Sequence, residues 1–512
     1  MRTKTRWSIA AIAVALLVGA TVPATADPEL DNLDDFDVKS RPAPAEISVP
    51  PGKADHRTFP STRNMHALGH SSHPASFEVP PAEREISSDI AFWGDLAIQG
   101  NYNGFRVIDI SSPAKPKLLS HPECNGDQGD VVVWENIVVR SWNSPAPEGR
   151  LCMGEPVPVG FEGLHVFDIA DPENPELLTA VEFSQVGAAE RGTADGCGSH
   201  TVTLVADPDN NRLVVYSNNS SGDNRPVCDA MDIIEVPIDD PAAAGHIGYV
   251  PLVGGSLGSN NGCHDAGAIL GEVNMLTCAS GHAANVFSIG EPGGGTLENP
   301  LWLFNIEEED PESGVKVGAP GAGRWHSATF SFDGEAILLG WEPGGGGQAR
   351  CTADDPDINK SLFAYSAADG AKLGQWVLER PQGHDENCTI HNYNMVPLRS
   401  GNDVVASGHY QAGSRVVDFT GIQEGVQPES IAWADPPSLG PGPFCTVMWD
   451  GEPTPTDGCR LGGAWSTYWY NGFLYESDIT RGLNIYRVSD RATAGAIKLS
   501  HLNPQTQEFT IH

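Results

Sequence analysis

The chain has 512 residues and a formal charge of -37 at neutral pH, with 67 acidic side chains against 30 basic ones and ten cysteines. Such acidity repels nucleic acid and anionic membranes and favours cations, so neither of those polyanionic partners is expected. Length alone would suggest about three domains, although large β architectures run this long as a single unit.

The chain opens with MRTKTRWSIAAIAVALLVGATVPATA. Arg2, Lys4 and Arg6 form a basic start, residues 9–20 an apolar run, and Ala24-Thr25-Ala26 a small-x-small cleavage signal. This layout predicts a signal peptide over 1–26, cleaved after Ala26, and a secreted, extracellular protein; a retained N-terminal anchor is the alternative. The apolar run falls short of the roughly 20 residues a membrane helix needs, and no later stretch reaches that length, so no transmembrane segment is expected. Residues 27–60 are acidic and then proline-rich (DPELDNLDDF, RPAPAEISVPPG) and read as a flexible segment with little to bury.

From residue 61 to 512 a single domain is expected. Short β-rich segments recur, separated by Gly, Pro, Asn and Asp turns, with almost no helical periodicity. GFRVIDISSPAKPKLLSH at 104–121 returns as GLHVFDIADPENPELLTAVEF at 163–183, and weaker copies begin at 231, 284, 361, 414 and 482. Each copy is an alternating strand, a turn and a second short strand; a further pair of strands lies upstream, as in DIAFWGDLAIQG and TVTLVADPDNNRLVVYSN. Seven four-stranded antiparallel units spaced by 53 to 77 residues follow. Such a unit cannot bury both faces alone, whereas radial stacking covers them, so the fold class is all-β: a seven-bladed β-propeller. The expected blades are 86–120, 129–183, 199–252, 263–304, 325–379, 389–433 and 464–503. MHALGH at 65–70 also has the look of a fourth strand, which leaves the closure of the ring open. A pair of β-sandwiches is the alternative, but it gives no reason for one motif to recur seven times.

RVIDISSP and HVFDIADPENP resemble the LVIVD repeat of exported bacterial β-propellers. The resemblance covers roughly residues 86 to 503, is specific in the first two repeats and decays in SIGEPGGG and SAADG. It implies fold and export and no single activity. Within the motif, Asp109 and Asp168 are placed to accept from turn amides, with Pro113 and Pro172 ending the strand.

Aligning the beginnings of the innermost strands places Asp89, Asp130, His200, His264, His326, His391 and Ser466 or Thr467 in equivalent positions around one channel mouth. His200, His264, His326 and His391 are the candidate metal ligands, since imidazoles converging from separate strands make a preorganised site. Asp89, Asp130, Asp265 (in GCHDAG), Glu342 (in GWEPGGGG), His384 and Asp385 (in QGHDE), and Trp465 are candidates for surrounding or pocket roles. A hydrogen-bonded channel rim is the alternative to a metal or ligand site.

Ten cysteines in an exported chain read as a disulfide framework. Nearest-neighbour pairing gives Cys124–Cys152, Cys197–Cys228, Cys263–Cys278, Cys351–Cys388 and Cys445–Cys459, mostly on the face carrying the histidines, though connectivity does not follow from sequence. No tight CxxC pair points to a zinc or redox thiol site, and no P-loop, dinucleotide fingerprint or GxSxG elbow is present. The expected function is an extracellular binding scaffold for a metal, small molecule, or extracellular polymer or protein. An iron- or copper-dependent oxidoreductase on the same histidines is the alternative, and a metal-assisted hydrolase a further one. Catalytic residues and oligomeric state are not legible.

Overall fold

The computed structural model describes residues 38–39, 59–72, 86–126, 128–182, 197–219, 228–258, 262–311, 314–317, 323–342, 351–380, 382, 386–436 and 462–512. Seven four-stranded antiparallel sheets stand around a channel as the blades of a β-propeller. The strand nearest the axis, strand A, is Ser87–Trp93, Val131–Trp134, Thr201–Asp207, Cys263–Ile269, Arg324–Phe330, Tyr393–Met395 and Ala464–Tyr470 in blades one to seven. Strands B and C follow outward and are buried on both faces, whereas the outermost strand D is half exposed, as in Lys117–Ser120 and Leu301–Ile306.

Burial on both faces explains the apolar content of the inner strands. Among the described residues, seven hydrophobic clusters lie one between each pair of neighbouring blades. Ala91, Phe105, Val133 and Phe167 pack between blades one and two, and Ile90, Phe92, Tyr468 and Leu483 between blades one and seven. None of these seven crosses the channel. The repeat motif works at the turns: Asp109 accepts from the Ser111 amide at 2.8 Å, Asp168 from Ala170 at 2.7 Å, and Asp418 from Thr420 at 2.9 Å. Gly104 and Gly163 open strand C of the first two blades at φ of 146° and 157°, where a Cβ would meet the carbonyls of Pro122 and Val181 at 2.0 Å. Only glycine permits that close approach of the neighbouring backbone.

Two connections differ from the expectation. Residues 464–503 do not complete blade seven, because its strand D is Met65–Ser72, antiparallel to strand C at Gly482–Val488. That edge is therefore taken, and the chain after residue 488 turns back to the axis. There His501–Leu502 pairs with strand A of blade one and Thr506–Gln507 runs parallel to strand A of blade four. Asn503 exchanges two hydrogen bonds with the Val133 backbone, at 2.8 and 2.9 Å, and Gln507 binds the Phe330 backbone. The C-terminal tail thus plugs one end of the channel. Within the segment read as flexible, Val38–Lys39 pairs with Ser61–Thr62, which in turn extends strand D of blade six; the predicted signal peptide lies outside the described residues. Among the described residues no helix is long and apolar enough to cross a membrane.

Candidate metal centre

Strand pairing sets the register of the open mouth. Counting back from the paired residues, His200, His264, His326 and His391 share one position with Ser88, Gly129 and Trp465 of the other blades. Asp89 and Asp130, expected beside the histidines, instead fall one residue deeper, level with Thr201, Asp265, Ser327, Asn392 and Ser466. The reason is that pairing with strand B, not the visible start of the apolar run, determines which residue faces the mouth. The Ser141 amide, for instance, binds the Asp130 carbonyl at 2.9 Å, placing Asp130 within the ladder.

The four histidines form a continuous arc from blades three to six. Ring centroids lie 4.4 Å apart between His200 and His264, 4.0 Å between His264 and His326, and 3.9 Å between His326 and His391. All four are buried. Burial holds every imidazole below its ordinary pKa; His200 is pushed down to about 3, with the Arg324 guanidinium adding to the effect. For His264 the neighbouring histidines add to burial, for His326 mainly Arg324, and for His391 mainly His326, partly countered by Glu342. The rings are therefore neutral at physiological pH, with lone pairs available.

Backbone carbonyls assign two tautomers. His391 Nδ1 donates to the Trp465 carbonyl at 2.6 Å and His326 Nδ1 to the His391 carbonyl at 3.2 Å. A carbonyl only accepts, so each Nδ1 carries the proton and each Nε2 presents a lone pair. His326 Nε2 is buried without a hydrogen-bond partner. It faces Glu342 Oε1 at 3.9 Å, and His264 Nε2 faces Glu342 Oε2 at 3.8 Å. These distances are too long for hydrogen bonds. The donor atoms of His264, His326 and Glu342 all lie within 4.8 Å of one another, and His200 Nε2 is 3.0 Å from His264 Nε2. A first-row metal with bonds of about 2.0–2.2 Å sets its ligands about 3–3.5 Å apart, which a small contraction of this set reaches.

Glu342 ends strand B of blade five and is held by Arg324, whose Nε donates to Oε2 at 2.9 Å. Trp465 and Tyr410 pack on His391, each with its ring 4.6 Å away, and together with Ile86 and Ile479 form an apolar wall beside the arc. Tyr410 sits at φ 40°, a left-handed conformation that costs a non-glycine residue about 1 kcal/mol or more. Asp265 lies just inside the arc, while His384 and Asp385 lie outside the described residues. Sequence reading missed Arg324 and Tyr410. Arg324 stands two residues before His326, a spacing with no distinctive chemical signature.

The structure contains the disulfides Cys124–Cys152, Cys197–Cys228, Cys263–Cys278 and Cys351–Cys388; Cys445 and Cys459 lie outside the described residues. Cys263 immediately precedes His264, and Cys197 and Cys388 each stand three residues before a histidine of the arc. A second grouping, His165 against Cys124 and Cys152, is not a metal centre, because both sulfurs are committed to the disulfide.

No family model matches the chain, and no curated protein matches it. Among solved structures it is similar to the outer coat vertex of COPII on membranes, at 10% identity and TM-score 0.42 over 80% of this chain and 85% of that one. It is also similar to a "putative 6-phosphogluconolactonase" from Bacteroides uniformis, at 10% identity and TM-score 0.45 over 81% and 96% of the two chains. A protein of the same description from Bacteroides fragilis gives 10% and 0.42 over 84% and 98%. Likenesses this distant carry nothing about activity.

Proposed function

We propose that the protein is an exported propeller that binds a divalent first-row transition metal at its channel mouth and uses it to hold a small polar ligand beside the Trp465–Tyr410 wall. His264, His326 and Glu342 would be the ligands, with His200 completing the set. The observation that carries this reading is the orphaned Nε2 of His326, which faces Glu342 Oε1 at 3.9 Å in a buried site while Arg324 is bound to the other carboxylate oxygen. Nitrogen and carboxylate donors without thiolate suit iron, copper, nickel or zinc. The disulfides and the N-terminal signal support export, and the RVIDISSP and HVFDIADP motifs support kinship with the LVIVD-type propellers.

A second reading, an iron- or copper-dependent oxidoreductase, is favoured by the two-histidine, one-carboxylate set, which in other proteins supports oxygen chemistry when coordination positions remain open. The test is metal content after mild purification from an oxidising compartment, for the wild type, Glu342→Gln and the His264→Ala, His326→Ala double variant. Stoichiometric metal in the wild type that is lost in both variants supports the site. Metal-free wild type that takes up none of the four ions on titration refutes it. Iron or copper, rather than zinc or nickel, as the resident ion supports the oxidoreductase reading.

A further inference from the structure

Directly inside the histidine arc the channel changes chemistry. Asp89, Asp130 and Asp265, from blades one, two and four, are each at most 3% exposed. Every group bound to them is neutral. Asp89 accepts from the Ile90 amide, the Tyr468 hydroxyl, Asn392 Nδ2 and Gln505 Nε2. Asp130 accepts from the Val131 and Val202 amides, and Asp265 from the Ala266 amide and the Thr201 hydroxyl. The charges that act on Asp130 are those of Asp89 and Asp265, and both raise its pKa. Three carboxylates are thus enclosed together with no arginine, lysine or protonated histidine against them among the described residues. An uncompensated buried charge costs several kcal/mol, so something positive must join them.

A second, independent feature indicates what. Asn392 Oδ1 and Gln505 Oε1, on side chains 3% and 7% exposed, are buried without a hydrogen-bond partner. Each amide is fastened by its NH2 group to the same atom, Asp89 Oδ2, at 2.7 Å. Covalent geometry therefore keeps both orphaned oxygens within about 5 Å of that carboxylate. One comes from blade six and the other from the C-terminal tail, so unrelated parts of the chain bring bare acceptors to the same place.

We propose that the channel interior is a second cation site, distinct from the histidine centre, that takes a hard ion of the calcium class among Asp89, Asp130, Asp265, Asn392 and Gln505. The donor set is entirely oxygen, which selects against the softer ions suited to the imidazoles. Calcium takes about six to eight oxygens, more than these side chains supply, so the ion would retain waters. Because Gln505 belongs to the tail, the ion also fastens the plug to the blades.

The experiment titrates calcium into the full chain after chelation, and follows terbium luminescence sensitised by Tyr468, whose hydroxyl is 2.7 Å from Asp89. One equivalent of calcium that competes with terbium is expected. Asp130→Asn and Asp265→Asn should each weaken binding about tenfold or more, while the His264→Ala, His326→Ala double variant retains it. Calcium uptake unchanged in both aspartate variants overturns the proposal. So does absence of uptake together with a protonated-carboxyl infrared band that Asp130→Asn removes, which would mean that the trio holds protons. If the asparagine variants do not fold, the anomalous density of terbium-soaked wild-type crystals decides: a peak among the three carboxylates supports the site, and none there refutes it.

Discussion

Replacing His165 with leucine is expected to make the protein less sensitive to acid. His165 is 2% exposed, its Nδ1 has no hydrogen-bond partner, and its ring is packed by Phe161 at 4.8 Å and Trp142 at 5.5 Å. Burial first, and the Arg140 guanidinium second, push its pKa down from 6.5 to about 3. Between those values the unfolded chain binds a proton that the folded protein refuses. The stability contributed by the neutral ring is therefore fully present above the unfolded pKa and is lost as pH falls towards the folded one. At about pH 5 the loss from this one residue is about 2 kcal/mol. Leucine has nearly the same volume, so stability near neutral pH should change by less than about 1.5 kcal/mol. Urea unfolding followed by tryptophan fluorescence, near pH 7.5 and near pH 5, measures the acid loss of each protein. The wild type should lose about 2 kcal/mol more than the variant; equal losses would refute the reasoning. The variant should also keep any metal at the mouth, since His165 takes no part in that centre.

Asn503→Ala removes two hydrogen bonds and strands a buried amide and carbonyl at Val133, at an expected cost of about 2–4 kcal/mol in the same unfolding assay. Deleting residues 27–72 removes strand D of blade seven and exposes the Gly482–Val488 edge, so the shortened protein should aggregate in size-exclusion chromatography. Replacing both Cys124 and Cys152 with alanine opens a loop with a sequence separation of 28. Chain entropy puts that cost at about 3–4 kcal/mol, and a denaturation midpoint unchanged from the wild type would contradict it.

Much of the scaffold was readable because a propeller repeats its reasons. The apolar strand followed by Asp and Pro in RVIDISSP and HVFDIADP marks strand C and its turn, and the Gly before each marks a close backbone approach. The histidines were legible as a set because each stands within two residues of the start of a strand A. Their partners were not. Glu342 was visible only as the end of a strand B, and the bond from Arg324 that holds it depends on how the two strands pair. Asp89 and Asp130 were misplaced by one residue because only the hydrogen-bonded ladder sets register, and one step moves a side chain from the mouth into the channel.

By itself, the order of residues determined the all-β class, the number of blades and the presence of an unusual row of imidazoles, since all three are periodic and local. Tertiary structure alone decided that Met65–Ser72 closes the ring, that residues 501–507 plug the channel, and that His326 Nε2 faces Glu342 beyond hydrogen-bond distance. Those are contacts between segments distant in the chain. They arise from which strand edge is free and which lone pair is left over once the ring has closed, and no local pattern encodes either.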